Sequence, residues 1–204
     1  MQIAIIGSGN VGGALAQQWI KAGHTVLIGA KMPLSEKNIQ LATKIGEDRF
    51  TSIPRAVSQC EVLLIATPPA VIFDVIDQLG DVSGKVIIDA TNSVRQKPEP
   101  YDTVYHALAD KTNAEVVKCF NTTGFENLLN PVYHDEKLDM FMAGDSKTAK
   151  KVASELALDV GFGTCYDFGK TDKVQLLEQF ALSWINLAIM QGQGRDIAFR
   201  VVRR

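Results

Sequence analysis

The chain has 204 residues, 46% of them hydrophobic, so it can bury a sizeable core and is not expected to be disordered. Its 21 Lys and Arg residues nearly balance 23 Asp and Glu residues, so we expect small-molecule partners and no nucleic acid or membrane partner. Cys60, Cys119 and Cys165 form no Cys-x-x-Cys pair and no zinc-type cluster with histidine, so we expect no metal site.

The N-terminal apolar run does not have the pattern of a signal peptide. No basic region follows Met1, and the run is interrupted at Gly7 after a few residues. The longest later apolar stretch, residues 180–190, contains Ser183 and Asn186 and falls short of the roughly 20 residues that a membrane span needs. The sequence therefore predicts a soluble, cytoplasmic protein.

Short runs rich in Val and Ile recur along the first 120 residues, with helical segments between them. Strands that are apolar on consecutive residues are buried on both faces, which happens when helices cover a parallel sheet. We therefore predict an α/β fold of the Rossmann type, doubly wound around a mostly parallel sheet. The predicted strands cover Ile3–Ile6, Thr25–Ile28, Val62–Ala66, Lys85–Asp89 and Glu115–Phe120.

The alternation is looser beyond Phe120. A polar loop through Asn130-Pro131 precedes a predicted strand at Met140–Ala143, a helix from Ser146 to about Leu158 and a strand at Thr164–Phe168.

A long helix is predicted from about Asp172 to Met190. Its apolar stripe packs on the domain, on a second subunit, or on both, and a homodimer is expected. We therefore divide the chain into a Rossmann domain, residues 1–170, and a C-terminal helical extension for packing or dimerisation, residues 171–204. The stripe consists of Val174, Leu177, Phe180, Ala181, Trp184, Leu187 and Ala188.

The segment from Gly7 to Gly12 has the dinucleotide-binding pattern G-x-G-x-x-G, directly after the first predicted strand and before a helix. Gly7 permits the tight turn, Gly9 lets the backbone approach a pyrophosphate, and Gly12 lets the helix lie close to the strand. Backbone N–H groups of Asn10 and Val11, at the positive end of the helix dipole, are expected to hold the phosphates. The predicted contacts are Gly7, Ser8, Gly9, Asn10, Val11 and Gly12.

The end of the second strand favours NADP over NAD. NAD-binding sites usually place Asp or Glu about 20 residues after the glycines, where the carboxylate binds the ribose hydroxyls. This chain instead has Ala30-Lys31, followed by Lys37, so the position offers a cation to a 2′-phosphate. The alternative is that Lys31 is an ordinary surface lysine.

Three later strand ends are candidates for contact with the nicotinamide and the second substrate. Ligands of open α/β sheets bind outside the carboxyl ends of the strands. The three segments are Ala66-Thr67-Pro68-Pro69, Asp89-Ala90-Thr91-Asn92 and Cys119-Phe120-Asn121-Thr122-Thr123-Gly124. Ordinary turn chemistry is the alternative explanation for each, because Pro, Asn, Thr and Gly commonly end strands.

No catalytic acid or base is predicted. The four tyrosines have no Lys four residues on, so the Tyr-x-x-x-Lys arrangement is absent. His24 is expected to be structural, whereas His106 and His134 lie in or near loops from which a cleft is within reach. Hydride transfer between two rings needs little protein acid–base chemistry, only rings held face to face.

Together with the glycine pattern and Gly29-Ala30-Lys31, two longer segments carry a family resemblance. They are Val117-Lys118-Cys119-Phe120-Asn121-Thr122-Thr123-Gly124 and a tail from Trp184 to Ala188 followed by Gly192 to Phe199. The chain resembles the NADPH-dependent coenzyme F420 reductase family, whose fold is shared with the cytoplasmic domain of STEAP-type metalloreductases. One difference is that Ala30-Lys31 stands where that family is expected to have Ser-Arg or Thr-Arg.

The resemblance implies NADP at the glycine turn, with its 2′-phosphate near Ala30 and Lys31. It implies that coenzyme F420, or a flavin such as FMN, occupies a cleft bounded by Thr67, Pro68, Asn92 and Asn121 and exchanges a hydride with the nicotinamide. The sequence leaves two alternatives open. One is a reductase of a small imine or carbonyl compound, and the other is a non-catalytic redox sensor that binds NADP(H).

Overall fold

The structure, a computed structural model, describes residues 1–33 and 35–204, and the side chain of Lys37 also lies outside the described part. The described strands are β1 (Gln2–Ile6), β2 (Thr25–Gly29), β3 (Phe50–Thr51), β4 (Val62–Ile65), β5 (Val86–Asp89), β6 (Glu115–Cys119), β7 (Val132–Tyr133), β8 (Glu136–Lys137), β9 (Asp139–Ala143) and β10 (Thr164–Asp167). The α-helices are α1 (Asn10–Lys21), α2 (Glu36–Ile45), α3 (Ile53–Gln59), α4 (Ile72–Leu79), α5 (Val104–Lys111), α6 (Phe125–Leu129), α7 (Lys147–Val160) and α8 (Val174–Ile185).

Within the described residues, eight strands form one sheet in the order β10-β9-β6-β5-β4-β1-β2-β3. Neighbouring strands are parallel except β6 and β9, which are antiparallel. The chain runs outward from β1 to β2 and then returns to place β4 on the other side of β1. The predicted doubly wound Rossmann fold is confirmed, and the crossover lies between β1 and β4.

Helices cover both faces of the sheet, which explains why the central strands are apolar on consecutive residues. One face packs against α1, α2, α6 and α7 and the other against α3, α4, α5 and α8. Trp19 of α1 is fully buried in the first core and donates through Nε1 to the carbonyl of Leu156 in α7, at 3.1 Å. In the second core, Val174 and Leu177 of α8 are fully buried.

The structure differs from the predicted elements at three places. The short β3 was not predicted, and a small hairpin of β7 and β8 replaces part of the polar loop after Pro131. The strand predicted to reach Phe120 ends at Cys119, because Phe120 adopts a left-handed conformation, with φ 65°.

The predicted C-terminal helix is present, but it changes geometry near its end. Helix α8 ends at Ile185, and residues Asn186–Met190 continue as a π-helical turn. Most of the predicted stripe is buried against the domain, whereas Leu187 is exposed. Among residues 1–33 and 35–204, no helix combines the length and apolarity needed to cross a membrane.

Candidate functional site

A cleft of about 570 Å³ opens at the carboxyl edge of the sheet, over the crossover between β1 and β4. Open α/β sheets bind their ligands at this position. The structure brings ten of the twelve predicted site residues to its wall. They are Gly7, Ser8, Gly9, Asn10, Val11, Ala30, Lys31, Thr67, Pro68 and Asn92.

The glycine turn depends on close backbone contacts. Gly7 has φ 118°, and a Cβ atom there would lie 2.5 Å from the carbonyl oxygen of Ala66. At Gly12 a Cβ atom would lie 1.9 Å from the carbonyl oxygen of Gly7. Gly12 therefore does not line the cleft, and it instead allows α1 to approach the turn.

Gly9 differs from both, because the space beside it is open. A Cβ atom at Gly9 would have no described protein atom within 4 Å, and its φ of −70° suits any residue. Helix α1 begins at Asn10, so its first N–H groups and positive dipole end face this space. A cradle lined by backbone donors and kept free of side chains fits a pyrophosphate.

The loop after β2 presents Lys31, which is exposed and lines the cleft. This loop is tied to the glycine turn through Asn38 of α2. Ser8 donates through Oγ to Asn38 Oδ1, at 2.5 Å, and Asn38 Nδ2 donates to the carbonyl oxygens of Met32 and Pro33, at 3.0 and 2.9 Å. Lys37 was also predicted to favour binding of the 2′-phosphate, and its side chain lies outside the described part of the structure.

Two threonines leave polar atoms free beside the cleft. Thr67 and Thr91 both line it, and in the described part of the chain their Oγ1 atoms are buried without a hydrogen-bond partner. An unpartnered buried hydroxyl costs about 1 to 3 kcal/mol. A ligand with polar atoms would satisfy these groups, so the wall fits the ribose and carboxamide of a dinucleotide.

Asn121 does not reach the wall of the cleft. It follows the left-handed Phe120, is buried, and donates through Nδ2 to Oδ1 of Asn92, at 3.2 Å. Asn92 lines the cleft, so Asn121 orients a lining residue. Its own Oδ1 is buried and has no partner among the described residues.

A buried cluster of three charged residues lies directly behind this wall. Lys118 of β6 stands beside Asp89 of β5 in register, and its Nζ lies 2.9 Å from Asp89 Oδ2 and 2.7 Å from Glu178 Oε1 of α8. Lys118 also donates to the carbonyl oxygen of Thr91, at 2.6 Å. Burial by itself would lower the pKa of Lys118, but the two carboxylates outweigh it and raise that pKa above its usual value.

The prediction omitted one face of α4 and the turn before it. Val71, Asp74, Val75 and Gln78 line the cleft, with the spacing of a single helical face. That spacing is a signal available in the sequence. The role of Lys118 had a signal too, because a lysine within the apolar run of β6 must find a buried partner.

The three histidines lie away from the cleft wall. His24 contacts the N-terminal amine through Nδ1, at 3.1 Å, and Asp159 through Nε2, at 2.9 Å, which is a structural role. The N–H of His106 donates to Oγ1 of Thr103, the N-cap of α5, and His134 lies in the turn between β7 and β8. Among the described lining residues there is no histidine, cysteine or tyrosine.

Part of the chain matches a known protein family, and nearly the whole chain is similar to a reductase. Residues 2–93 match the family model of NADP oxidoreductase, coenzyme F420-dependent. The F420-dependent NADP reductase of Methanothermobacter marburgensis is 26% identical over 211 residues, with 93% of each chain covered.

Two further proteins are similar over most of the chain. The metalloreductase STEAP3 of Rattus norvegicus is 25% identical over 89% of this chain, which spans 36% of the length of STEAP3. A crystal structure from Arthrobacter sp. FB24, provisionally described as an F420-dependent NADP reductase, superposes with a TM-score of 0.87 at 22% identity and covers both chains fully. This last similarity establishes the shared fold.

Proposed function

Because residues 2–93 match the family model of coenzyme F420-dependent NADP oxidoreductases, we propose that the chain is an NADP(H)-dependent oxidoreductase. Its second substrate is a deazaflavin such as coenzyme F420, or a flavin such as FMN. The observation that carries the proposal is the cleft at the β1–β4 crossover, with an open glycine cradle and unpartnered hydroxyls in its wall.

The glycine turn holds the pyrophosphate. The N–H groups of Asn10 and Val11 donate to the phosphate oxygens, aided by the dipole of α1. Lys31 provides a cation for the 2′-phosphate, beside Ala30 at the end of β2. Because β2 lies on one side of the crossover, the nicotinamide extends over the ends of β4 and β5 on the other side.

In the nicotinamide half, Thr67, Pro68 and Asn92 form the wall, and Asn121 holds Asn92 in place. NADPH supplies the hydride when it is bound. The protein holds the two rings against each other and excludes water between them.

We further propose that residues 171–204 form a packing or dimerisation element attached to the Rossmann domain of residues 1–170. Helix α8 packs on the domain through its buried face, and together with the π-helical turn after it presents an exposed apolar surface of Leu176, Leu187, Ile189 and Met190. This surface suits association of two copies of the chain. Light scattering on the purified protein is expected to give twice the chain mass of 22.3 kDa.

The first experiment measures cofactor binding and turnover. NADPH is titrated while nicotinamide fluorescence is followed, and then FMN, riboflavin and a deazaflavin are offered while nicotinamide absorbance is recorded. We expect oxidation of NADPH only with a tricyclic acceptor. Turnover with small imines or carbonyl compounds instead would indicate the alternative reductase, and binding without turnover over a broad acceptor panel would indicate a redox sensor.

A glycine pair separates ligand contact from folding. In Gly9→Ala the new methyl group meets no described protein atom, so stability should change by less than about 1 kcal/mol. Because it enters the pyrophosphate space, affinity for NADPH should fall at least about tenfold, a loss of roughly 1.4 kcal/mol. Gly12→Ala, which collides with Gly7, should lose both stability and affinity. Unchanged affinity in Gly9→Ala would contradict the proposed site.

A further inference from the structure

The cluster behind the cleft wall contains more negative than positive charge. Asp89 and Lys118 are fully buried, and Glu178 is 3% exposed. Asp89 accepts hydrogen bonds from Lys118 and from the N–H of Thr91, and Glu178 Oε2 accepts one from the N–H of Ser93. Glu178 Oε1 forms an ion pair with Lys118 Nζ, at 2.7 Å, but has no hydrogen-bond partner among the described residues. One ammonium and two carboxylates give a net charge of about −1.

The cluster lies on the nicotinamide side of the crossover. Asp89 ends β5, which is two strands from β1, and Lys118 lies beside it near the end of β6. Lys118 donates to the carbonyl of Thr91, a residue that lines the cleft, and Glu178 binds the N–H of Ser93 just after the lining residue Asn92. The charges therefore stand one residue behind the wall of the nicotinamide half.

A charge at this place distinguishes the two oxidation states of the cofactor. The nicotinamide ring is neutral in NADPH and carries a positive charge in NADP⁺. A buried charge is screened weakly by solvent and salt, so it acts over the distance of a few side chains. A net negative cluster lowers the free energy of the cationic ring and leaves the neutral ring almost unaffected.

We propose that the buried Asp89–Lys118–Glu178 cluster selectively stabilises the oxidised, cationic nicotinamide and so favours NADPH as the hydride donor on the protein. This inference rests on the proposed function, because it requires NADP(H) in the cleft. By thermodynamic linkage, a factor that changes the relative affinity for NADP⁺ and NADPH changes the equilibrium between the bound forms by the same factor.

A purely structural role predicts a different result. The same contacts hold the loop of Thr91, Asn92 and Ser93, so a loosened loop would weaken both forms of the cofactor alike. The ratio of the two dissociation constants separates these roles, because it cancels any common loss of affinity.

The test uses Glu178→Gln and Asp89→Asn, each of which removes one buried negative charge. Dissociation constants for NADP⁺ and NADPH are measured by calorimetry, together with adenosine 2′,5′-bisphosphate, which has no nicotinamide. In both variants the ratio of the NADP⁺ constant to the NADPH constant should rise about three- to tenfold. Affinity for the bisphosphate should be the same as in the unaltered protein.

Asp81→Asn is the matched control. Asp81 is a carboxylate that binds Ser83 and Asn113 at the opposite edge of the sheet, so its loss should leave the ratio unchanged. An unchanged ratio in a folded Glu178→Gln or Asp89→Asn protein would overturn the inference. So would an unaltered protein that binds NADPH more than about tenfold tighter than NADP⁺, a measurement that does not depend on any variant folding. If the unaltered protein binds neither nucleotide, the proposed function itself fails.

Discussion

The polar side chains at the amino and carboxyl ends of the parallel strands differ in whether their hydrogen bonds are satisfied. At the amino edge, Asp81 accepts hydrogen bonds from the backbone and side chain of Ser83 and from Asn113. At the carboxyl edge, the hydroxyls of Thr67 and Thr91 are buried without partners among the described residues. The polar groups at the first edge are satisfied by hydrogen bonds within the protein, whereas the two hydroxyls at the second edge are left for the proposed ligand to satisfy.

Asp81 at the amino edge and the charged cluster at the carboxyl edge differ in burial. Asp81 is exposed, and hydrogen bonds from Ser83 and Asn113, with a smaller contribution from the charge of Lys85, lower its pKa to about 2. Asp89, Lys118 and Glu178 at the carboxyl edge are buried, so each depends on the others for its stability. Substitutions at the carboxyl edge should therefore have large and coupled effects, and substitutions at the amino edge small and local ones.

The largest effect is expected for Lys118→Met. It leaves the carboxylates of Asp89 and Glu178 buried without their cation, and breaking a buried pair in this way costs about 3 to 5 kcal/mol. Urea unfolding followed by circular dichroism should show this loss in the free energy of unfolding.

Lys150→Met is the control for Lys118→Met. Lys150 pairs with Asp167, whose side chain is 46% exposed, so the cost should stay near about 1 kcal/mol. Equal losses in the two variants would mean that burial of the ion pair does not set the cost of breaking it.

The second effect concerns the ligand rather than the fold. Lys31 lies at the carboxyl edge but is exposed, so Lys31→Asp should leave stability nearly unchanged. Because the new carboxylate repels a 2′-phosphate, affinity for NADPH should fall about tenfold to fiftyfold, while affinity for NADH changes little. Fluorescence titration with both nucleotides measures the difference.

Two further substitutions serve as controls for Lys31→Asp. Lys31→Arg adds a planar fork and should retain or increase affinity for NADPH. Lys21→Asp reverses a charge at the far end of α1 and should alter neither nucleotide. An equal loss of NADPH and NADH in Lys31→Asp would show that this lysine does not face the phosphate.

Much of the carboxyl edge was predictable because its signals are local. The spacing of Gly7, Gly9 and Gly12 after an apolar strand fixes a turn, and parallel strands place their ends at one edge. The ends of β4 and β5 therefore led to Thr67, Pro68 and Asn92, which line the cleft.

The parts that were missed depend on contacts between distant residues. Glu178 binds the backbone of Ser93, 85 residues earlier, and nothing near either residue specifies this pairing. The antiparallel direction of β9 and the short β3 are likewise set by the assembled sheet. Asn121 was expected at the wall, but the left-handed Phe120 before it directs its amide to Asn92 instead.

The smallest effect, and the one that characterises the amino edge, is the pH dependence of Asp81. Its pKa lies at about 2 in the folded protein, against an ordinary value of 3.8, because Ser83 and Asn113 donate to its carboxylate. A lowered pKa in the folded state means that the stabilisation is complete above pH 3.8 and is lost as the pH falls towards 2. Asp81→Asn should therefore melt below the unaltered protein at pH 6, and the gap should narrow steadily as the pH falls from 4 to 2. A gap of constant size across that range, measured by differential scanning calorimetry, would show that the hydrogen bonds of Asp81 do not distinguish its charged form.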